Sequence, residues 1–362
     1  MLGKISGLMV RYAYIVIILA ILLAGVGGYF MTKLEAEVEY EKMLPQELES
    51  IQTMNEIEEL FGVNLGAMPV IVLVKANLLA PGAGVEIQAM CNDLKGVDEI
   101  ASANSIFDFA PEGVPLPLFL SQTQEADRAK LSSFISQDLQ ATLIYCQSQE
   151  SVMSSSARTH FIEQMDTVLQ QYHQSENIAE IKLAGMPIML NEISEALPAQ
   201  QTQLTIWTLI GIVVVLAFGF RRLTAPIIAL FTIGIALAWT MGALYFLGIP
   251  ITIVSIAVIP LLLGLGIDYS VYYLRRFDEE RAKGAPVERA IETSLRTTGS
   301  AVLIASLTTM VAFGVIAFSW FTALRDLGLA LLIGIFLCVM AASTVLPALV
   351  TIRERFLRGK RL

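Results

Sequence analysis

The sequence predicts a polytopic α-helical membrane protein of six transmembrane helices, with an α+β ferredoxin-like extracytoplasmic domain set between the first and the second. Three observations carry that prediction. Of 362 residues, 55% are hydrophobic and only 16% charged, where a soluble domain carries about 25% charge. Six runs reach the roughly 20 apolar residues that a spanning helix needs. The basic residues gather on one side of those runs.

The first run covers 12–31. Its apolar core exceeds the roughly 7–15 residues of a signal-peptide core, so it reads as an uncleaved anchor behind a cytoplasmic stretch 1–11. The segment 32–200 separates it from five further runs at 204–220, 224–247, 251–274, 300–321 and 327–352. Lys4 and Arg11 precede the first run, and Arg221 and Arg222 lie between the second and third. Arg275, Arg276, Arg281, Lys283, Arg289 and Arg296 occupy the loop 275–299. Arg353, Arg355, Arg358, Lys360 and Arg361 fill the basic end 353–362. All fall on one side of a six-span chain, which the positive-inside rule names cytoplasmic. The expectation is a multi-pass protein of the cytoplasmic (inner) membrane, with both termini cytoplasmic and 32–200 outside.

The formal charge of −9 hides an asymmetry: 32–200 holds 25 acidic and 8 basic residues. Glu35, Glu37, Glu39 and Glu41 read as a solvated stalk, with a cation-attracting vestibule as the sharper alternative. The basic residues sit beside spans, so nothing here points to nucleic acid. Cys91, Cys146 and Cys338 read as small buried apolar residues; Cys91 and Cys146 could pair only if the fold joins them. His160 and His173 stand without a ligand cluster, and no G-x-x-x-x-G-K-[ST] is present, so no metal, cofactor or bound nucleotide is expected.

Within 32–200, 70–75 (VIVLVK) and 141–146 (ATLIYC) are β-branched and apolar and read as strands. Residues 85–94, 126–139 and 158–172 read as helices, 97–102 and 181–185 as extended, and the proline-rich 110–120 as a loop. Strand, helix, strand occurs twice, the pattern of a ferredoxin-like domain. Ser154, Ser155 and Ser156 near His160 read as a polar helix entry, since no orienting acid or elbow motif accompanies them.

One residue carries chemistry. The fourth run reads ITIVSIAVIPLLLGLGIDYSVYYLRRF, and its ionisable group is Asp268, placed roughly 25 Å from Ile251 if the whole run is helical. An ionised Asp at a helix centre costs about 2.5–3.5 kcal/mol on insertion scales. Low dielectric favours the neutral carboxyl, so such a group can take up and release a proton. Gly264 and Gly266 permit close helix approach, Tyr269 and Tyr272 offer hydroxyls, and Pro260 can loosen the helix upstream. In the fifth run Ser306, Thr308 and Thr309 could hold a water chain or serve only as packing contacts.

GLGIDYSVYYLRRFDEE resembles the fourth-span G-x-G-x-D-Y signature of resistance-nodulation-division (RND) transporters, above all their hydrophobe and lipid exporters: the mycobacterial large membrane proteins and the hopanoid exporters. ASLTTMVAFGVIAFS resembles that branch's fifth span, TVLPALV its sixth-span ending, and AGMPIMLNEISEAL the lead into its second span. The resemblance implies a proton-driven secondary transporter of a hydrophobic or lipid substrate and no catalytic residues. It makes Asp268 and Tyr269 the relay pair and 32–200 the porter domain. Family members usually carry two such halves. One half here implies a homodimer, setting Asp268 of one copy against Tyr269 of the other, or a separate second half. The alternative is a non-transporting sensor or accessory scaffold of the same fold, sterol-sensing-like or translocation-motor-like.

Overall fold

The computed structural model describes residues 7, 9–33, 36–37, 52–53, 56, 60, 69–80, 82–109, 133–148, 155–220, 224–252 and 254–359. In chain order the elements are α1 (Ala13–Met31), β1 (Ala36–Glu37), β2 (Pro69–Ala76), α2 (Ala83–Leu94), β3 (Ile100–Asn104), a 3₁₀ helix (Ile106–Asp108), β4 (Ala141–Ser148), α3 (Ser155–Gln170) and β5 (Ile178–Gly185). Then follow α4 (Met186–Phe220), α5 (Thr224–Phe246), β6 (Ile251–Thr252), a second 3₁₀ helix (Val254–Ala257), α6 (Val258–Ala282), α7 (Val287–Ala317) and α8 (Thr322–Gly359). The chain divides into two compact units, Met1–Pro45 with Leu197–Leu362, and Gln46–Ala196.

The first unit is helical. Among the described residues six helices are long and apolar enough to cross a membrane: α1, α4, α5, α6 with its leading 3₁₀ turn, α7 and α8. Helices α5, α6 and α8 supply most of the buried centre, while α1, α4 and α7 bare most of their apolar surface. Glycine sets the closest approaches. A Cβ on Gly27 of α1 would lie 2.0 Å from the Ala238 carbonyl oxygen of α5, and one on Gly242 would lie 2.8 Å from the Gly27 Cα. Beside this crossing the Trp239 indole N–H donates to the Ala20 carbonyl at 3.2 Å.

Three expectations about this unit are corrected. The run 251–274 is not helical throughout. Ile251 and Thr252 pair in parallel with Ala36 and Glu37, a 3₁₀ turn follows, and α6 starts only at Val258. Pro260 therefore sits in the first turn, where its missing N–H costs nothing, and does not loosen the helix. The loop 275–299 is mostly helix. Arg276 bridges Glu279 and Glu280, and Lys283 bridges Glu280; these pairs at helical spacing carry α6 past its apolar run. Gly284, at φ +83, ends it, and α7 begins at Val287. The second spanning helix starts well before 204, at Met186, and holds Pro198 inside it.

The second unit is built on a four-stranded antiparallel sheet of order β3–β4–β2–β5. Val70, Val72 and Val74 alternate inward from β2, as do Ile144 and Cys146 from β4. Ile87, Met90 and Leu94 of α2 and Phe161, Met165 and Leu169 of α3 join them in one core. Gly185, at φ +128, ends β5 where a Cβ would strike the Pro69 carbonyl oxygen at 2.5 Å. The strand expected at 97–102 lies at Ile100–Asn104. The helix expected at 126–139 is corrected where the structure describes it: 133–140 is a turn. Ser136 Oγ accepts the N–H groups of Gln140 and Ala141 at 3.1 and 2.9 Å, and Leu139 takes φ 52. Side-chain capture of backbone donors outcompetes the helix there. The remainder of that expected helix, the loop 110–120, Glu35, Glu39, Glu41, Ser154, Lys4, Arg221, Arg222, Lys360 and Arg361 lie outside the described residues.

Candidate functional site

The site grows from α6. Gly266 presses this helix onto its neighbours: a Cβ there would meet Ile233 Cδ1 of α5 at 2.3 Å and Cys338 Sγ of α8 at 2.8 Å. Ser294 of α7 donates to the Tyr273 carbonyl at 2.7 Å, and the Tyr273 and Ser343 hydroxyls lie 3.4 Å apart. These contacts fix the rotation of α6 about its own axis, and the rotation decides which side chains face out.

Asp268 lies ten residues into α6, about 15 Å past its first residue rather than 25 Å from Ile251. Its side chain is exposed, and among the described residues no hydrogen bond or ion pair engages it. Tyr272, one turn on, is 54% exposed on the same face, whereas Tyr269 is 5% exposed and buried in the core of its own unit. Gly264 has nothing within 4 Å of where a Cβ would stand. On α7, Ser306 is fully buried while Thr308 is exposed. Ser306 donates to the Leu303 carbonyl at 3.0 Å, and Thr308 and Thr309 donate to Ala305 at 2.8 and 2.9 Å. Their protons are spent on their own helix, and lone pairs remain to accept. The structure thus joins Asp268, Tyr272 and Gly264 on one face and sets Tyr269, Gly266 and Ser306 inside. Arg275, at the far end of that face, donates to the Gly219 carbonyl at 2.9 Å and stacks over Phe220.

Sequence reasoning missed the Tyr273–Ser343 contact and the Ser294 bond, because hydroxyls on separate runs carry no signal of meeting. It also began the last span at 327. The helix starts at Thr322 and brings Asp326 in as a buried acid beside Arg325.

In the second unit, burial pushes the Cys91 thiol up to about 11, with the Asp108 carboxylate adding to it, and burial pushes Cys146 up to about 12. All three cysteines are free and buried. Burial raises Asp108 as well, but hydrogen bonds from Lys95 Nζ at 2.8 Å and the Ser105 N–H at 2.6 Å outweigh it and hold the carboxyl below its ordinary range. His160 faces Glu99 at 3.4 Å.

Comparison with known proteins gives consistent matches. The family described as the MMPL family matches residues 42–361. A membrane protein of Methanocaldococcus jannaschii is 27% identical over 375 residues, covering 98% of this chain and 94% of its own. The trehalose monomycolate exporter MmpL3 of Mycobacterium tuberculosis is 28% identical over 193 residues, covering 51% of this chain and 20% of its own. The cryo-EM structure of the hedgehog release protein Disp from the water bear Hypsibius dujardini matches with a TM-score of 0.66 at 14% identity, over 97% of this chain and 49% of that one. At that identity the likeness concerns the fold. The chain therefore spans almost all of the archaeal relative, a fifth of the mycobacterial one and about half of the solved chain.

Proposed function

This chain belongs to the MMPL family, RND-type membrane transporters, and from that premise we propose that it is a proton-driven secondary transporter of a hydrophobic, lipid-like substrate. The observation that carries the proposal is Asp268: an ionisable carboxyl midway along a membrane-crossing helix, exposed on the surface of its unit and unpaired among the described residues. Left facing lipid, its charge would cost about 2.5–3.5 kcal/mol. Intramembrane carboxylates persist where that cost is used, and proton loading is the use that fits. Protonation removes the cost, so each cycle of loading and release shifts the helices between two arrangements.

Asp268 and Tyr269 form the relay pair. Tyr272, Ser306, Thr308 and Thr309 supply further hydroxyls, Gly266 the close packing on α5 and α8, and Gly264 room for another helix to approach. The proton gradient is the energy source and no cofactor takes part; the chain is a carrier and not an enzyme. The second unit is the porter. Its strand order, with helices after the first and third of its four sheet strands, is that of a ferredoxin-like domain. In this reading both termini lie in the cytoplasm and 32–200 outside the inner membrane, an orientation that the one-sided basic residues support. MmpL3, a relative, exports trehalose monomycolate, which supports a lipid-like substrate here. Two copies, or one copy with a second half, complete the transporter.

The test uses the purified chain in liposomes holding a pH-sensitive dye and a fluorescent lipid. An imposed pH gradient should drive lipid movement, an uncoupler should stop it, and Asp268→Asn should reduce proton entry to the protein-free rate. Lipid movement indifferent to both the uncoupler and the substitution would refute the transporter and favour the sensor or scaffold reading.

A further inference from the structure

The basic residues near the ends of α1, α6 and α8 fall into two sets. In the first, each cation meets a carboxylate. Arg276 and Lys283 hold Glu280, and Arg281 and Arg353 hold Glu354. Arg11 and Arg355 belong to the second set. Both are exposed, and among the described residues neither meets an acid.

The fold nevertheless sets these two together. The Arg355 guanidinium of α8 donates to the Val10 carbonyl at 2.9 Å. That carbonyl belongs to the peptide group joining Val10 to Arg11. Val10 is buried in the core of the helical unit, which fixes the peptide, and Arg11 turns outward over the Tyr12 ring at 5.6 Å. Two like charges are thus held beside one peptide group. Their repulsion is a cost that an anion between them removes. An apolar strip starts four residues on. Ile15, Ile18 and Leu22 of α1 are 61%, 60% and 62% exposed, and spacings of four and three place them on one helix face.

We propose that Arg11 and Arg355 bind the phosphate of an anionic phospholipid, whose acyl chains lie along Ile15, Ile18 and Leu22. Guanidinium forks match phosphate oxygens, and basic pockets between membrane helices take such head groups. Arg355 spends one N–H on Val10 and keeps the others for the ligand. The apolar strip commits the site to a lipid: a free phosphate would leave it unused. The pair of cations commits it to an anionic head group, since an ammonium beside them would be repelled and no described carboxylate stands ready for it. A lipid held there bridges α1 and α8, which already touch within this unit. The proposal stands apart from the transport reading and needs neither Asp268 nor a second copy.

Native mass spectrometry of the full chain tests it, with the protein released from detergent that carries phosphatidylglycerol or phosphatidylcholine. One phosphatidylglycerol should stay bound under conditions that strip phosphatidylcholine. Arg11→Gln breaks no hydrogen bond or ion pair among the described residues; it should weaken that binding roughly fivefold, and Arg11→Gln with Arg355→Gln about thirtyfold. Arg289→Gln with Arg296→Gln removes the same charge from exposed positions on α7 and should leave the affinity as it was. Excess inorganic phosphate should not displace the lipid. Equal retention of the two lipids overturns the proposal, as does equal weakening by the two double variants. Displacement by inorganic phosphate overturns it too, because a free anion would then be the ligand. A thermal scan accompanies each variant. Should Arg355→Gln unfold the chain, Arg11→Gln alone decides: native affinity in that variant overturns the site, while a loss that Arg11→Lys largely restores supports it.

Discussion

At the scale of single residues, Asp268 was legible because it interrupts an apolar run, and the cost of its charge marks it whatever the fold. Which tyrosine shares its exposed face was not legible. Tyr269 and Tyr272 both lie within one turn, and only the rotation of α6, set by Gly266 against Ile233 and Cys338, separates the buried one from the exposed one. Asp268→Glu keeps the titrating group and should retain part of the proton flux. Asp268→Asn should lose all of it while leaving the chain as stable to heat as before, because no partner in the unit is orphaned by the change. A thermal scan beside the flux assay checks both. Asp268→Asn that destabilises the chain would mark the residue as structural.

At the scale of elements, glycine contacts rank the helix crossings. A methyl on Gly27 meets a backbone oxygen at 2.0 Å, whereas one on Gly266 meets the ends of two side chains. Side chains can turn aside and backbone cannot. Gly27→Ala should therefore cost more than Gly266→Ala, with overpacking at either site worth about 1–3 kcal/mol, read as midpoints of thermal unfolding in detergent. In the second unit, Asp108 closes a capping box on Ser105 and holds Lys95. Its folded-state pKa is depressed, so its contribution is present above the ordinary aspartate range and fades as pH falls through the folded value. Asp108→Asn should loosen β3 and the end of α2 by roughly 1–2 kcal/mol at neutral pH, and much less in acid, measured by hydrogen exchange of those amides. The two central strands of this unit were legible from their β-branched, apolar runs. The turn at 133–140 was not, since Ser136 bonding to its neighbours' N–H groups outweighs a helical pattern that the residues also fit. The ends of α6 escaped for a similar reason: hydropathy does not distinguish a β-branched pair such as Ile251–Thr252 from a helix turn, and ion pairs extend a helix beyond its apolar run.

At the scale of the whole molecule, six candidate spans among the described residues, a net charge of −17 on 32–200 and basic residues gathered on one side of the spans are the frame on which the proposed transporter rests. Sidedness follows directly. Cysteines placed in intact cells at Lys95 and Lys182 should react with an impermeant maleimide, and ones at Arg281 and Arg296 only after the membrane is opened; the opposite pattern would invert the orientation. The fold follows from span count and charge side, both properties of sequence. How one copy would meet another does not, because it depends on a surface that only folding creates. The central claim is that the Asp268 carboxyl gains and loses a proton within the membrane as part of the working cycle. Infrared difference spectra of the chain in lipid, taken as pH is stepped, test it most directly. The carboxylic C=O band of a protonated, water-poor acid should rise and fall reversibly and vanish in Asp268→Asn. A group ionised at every pH, or a band unchanged by that substitution, would contradict the account.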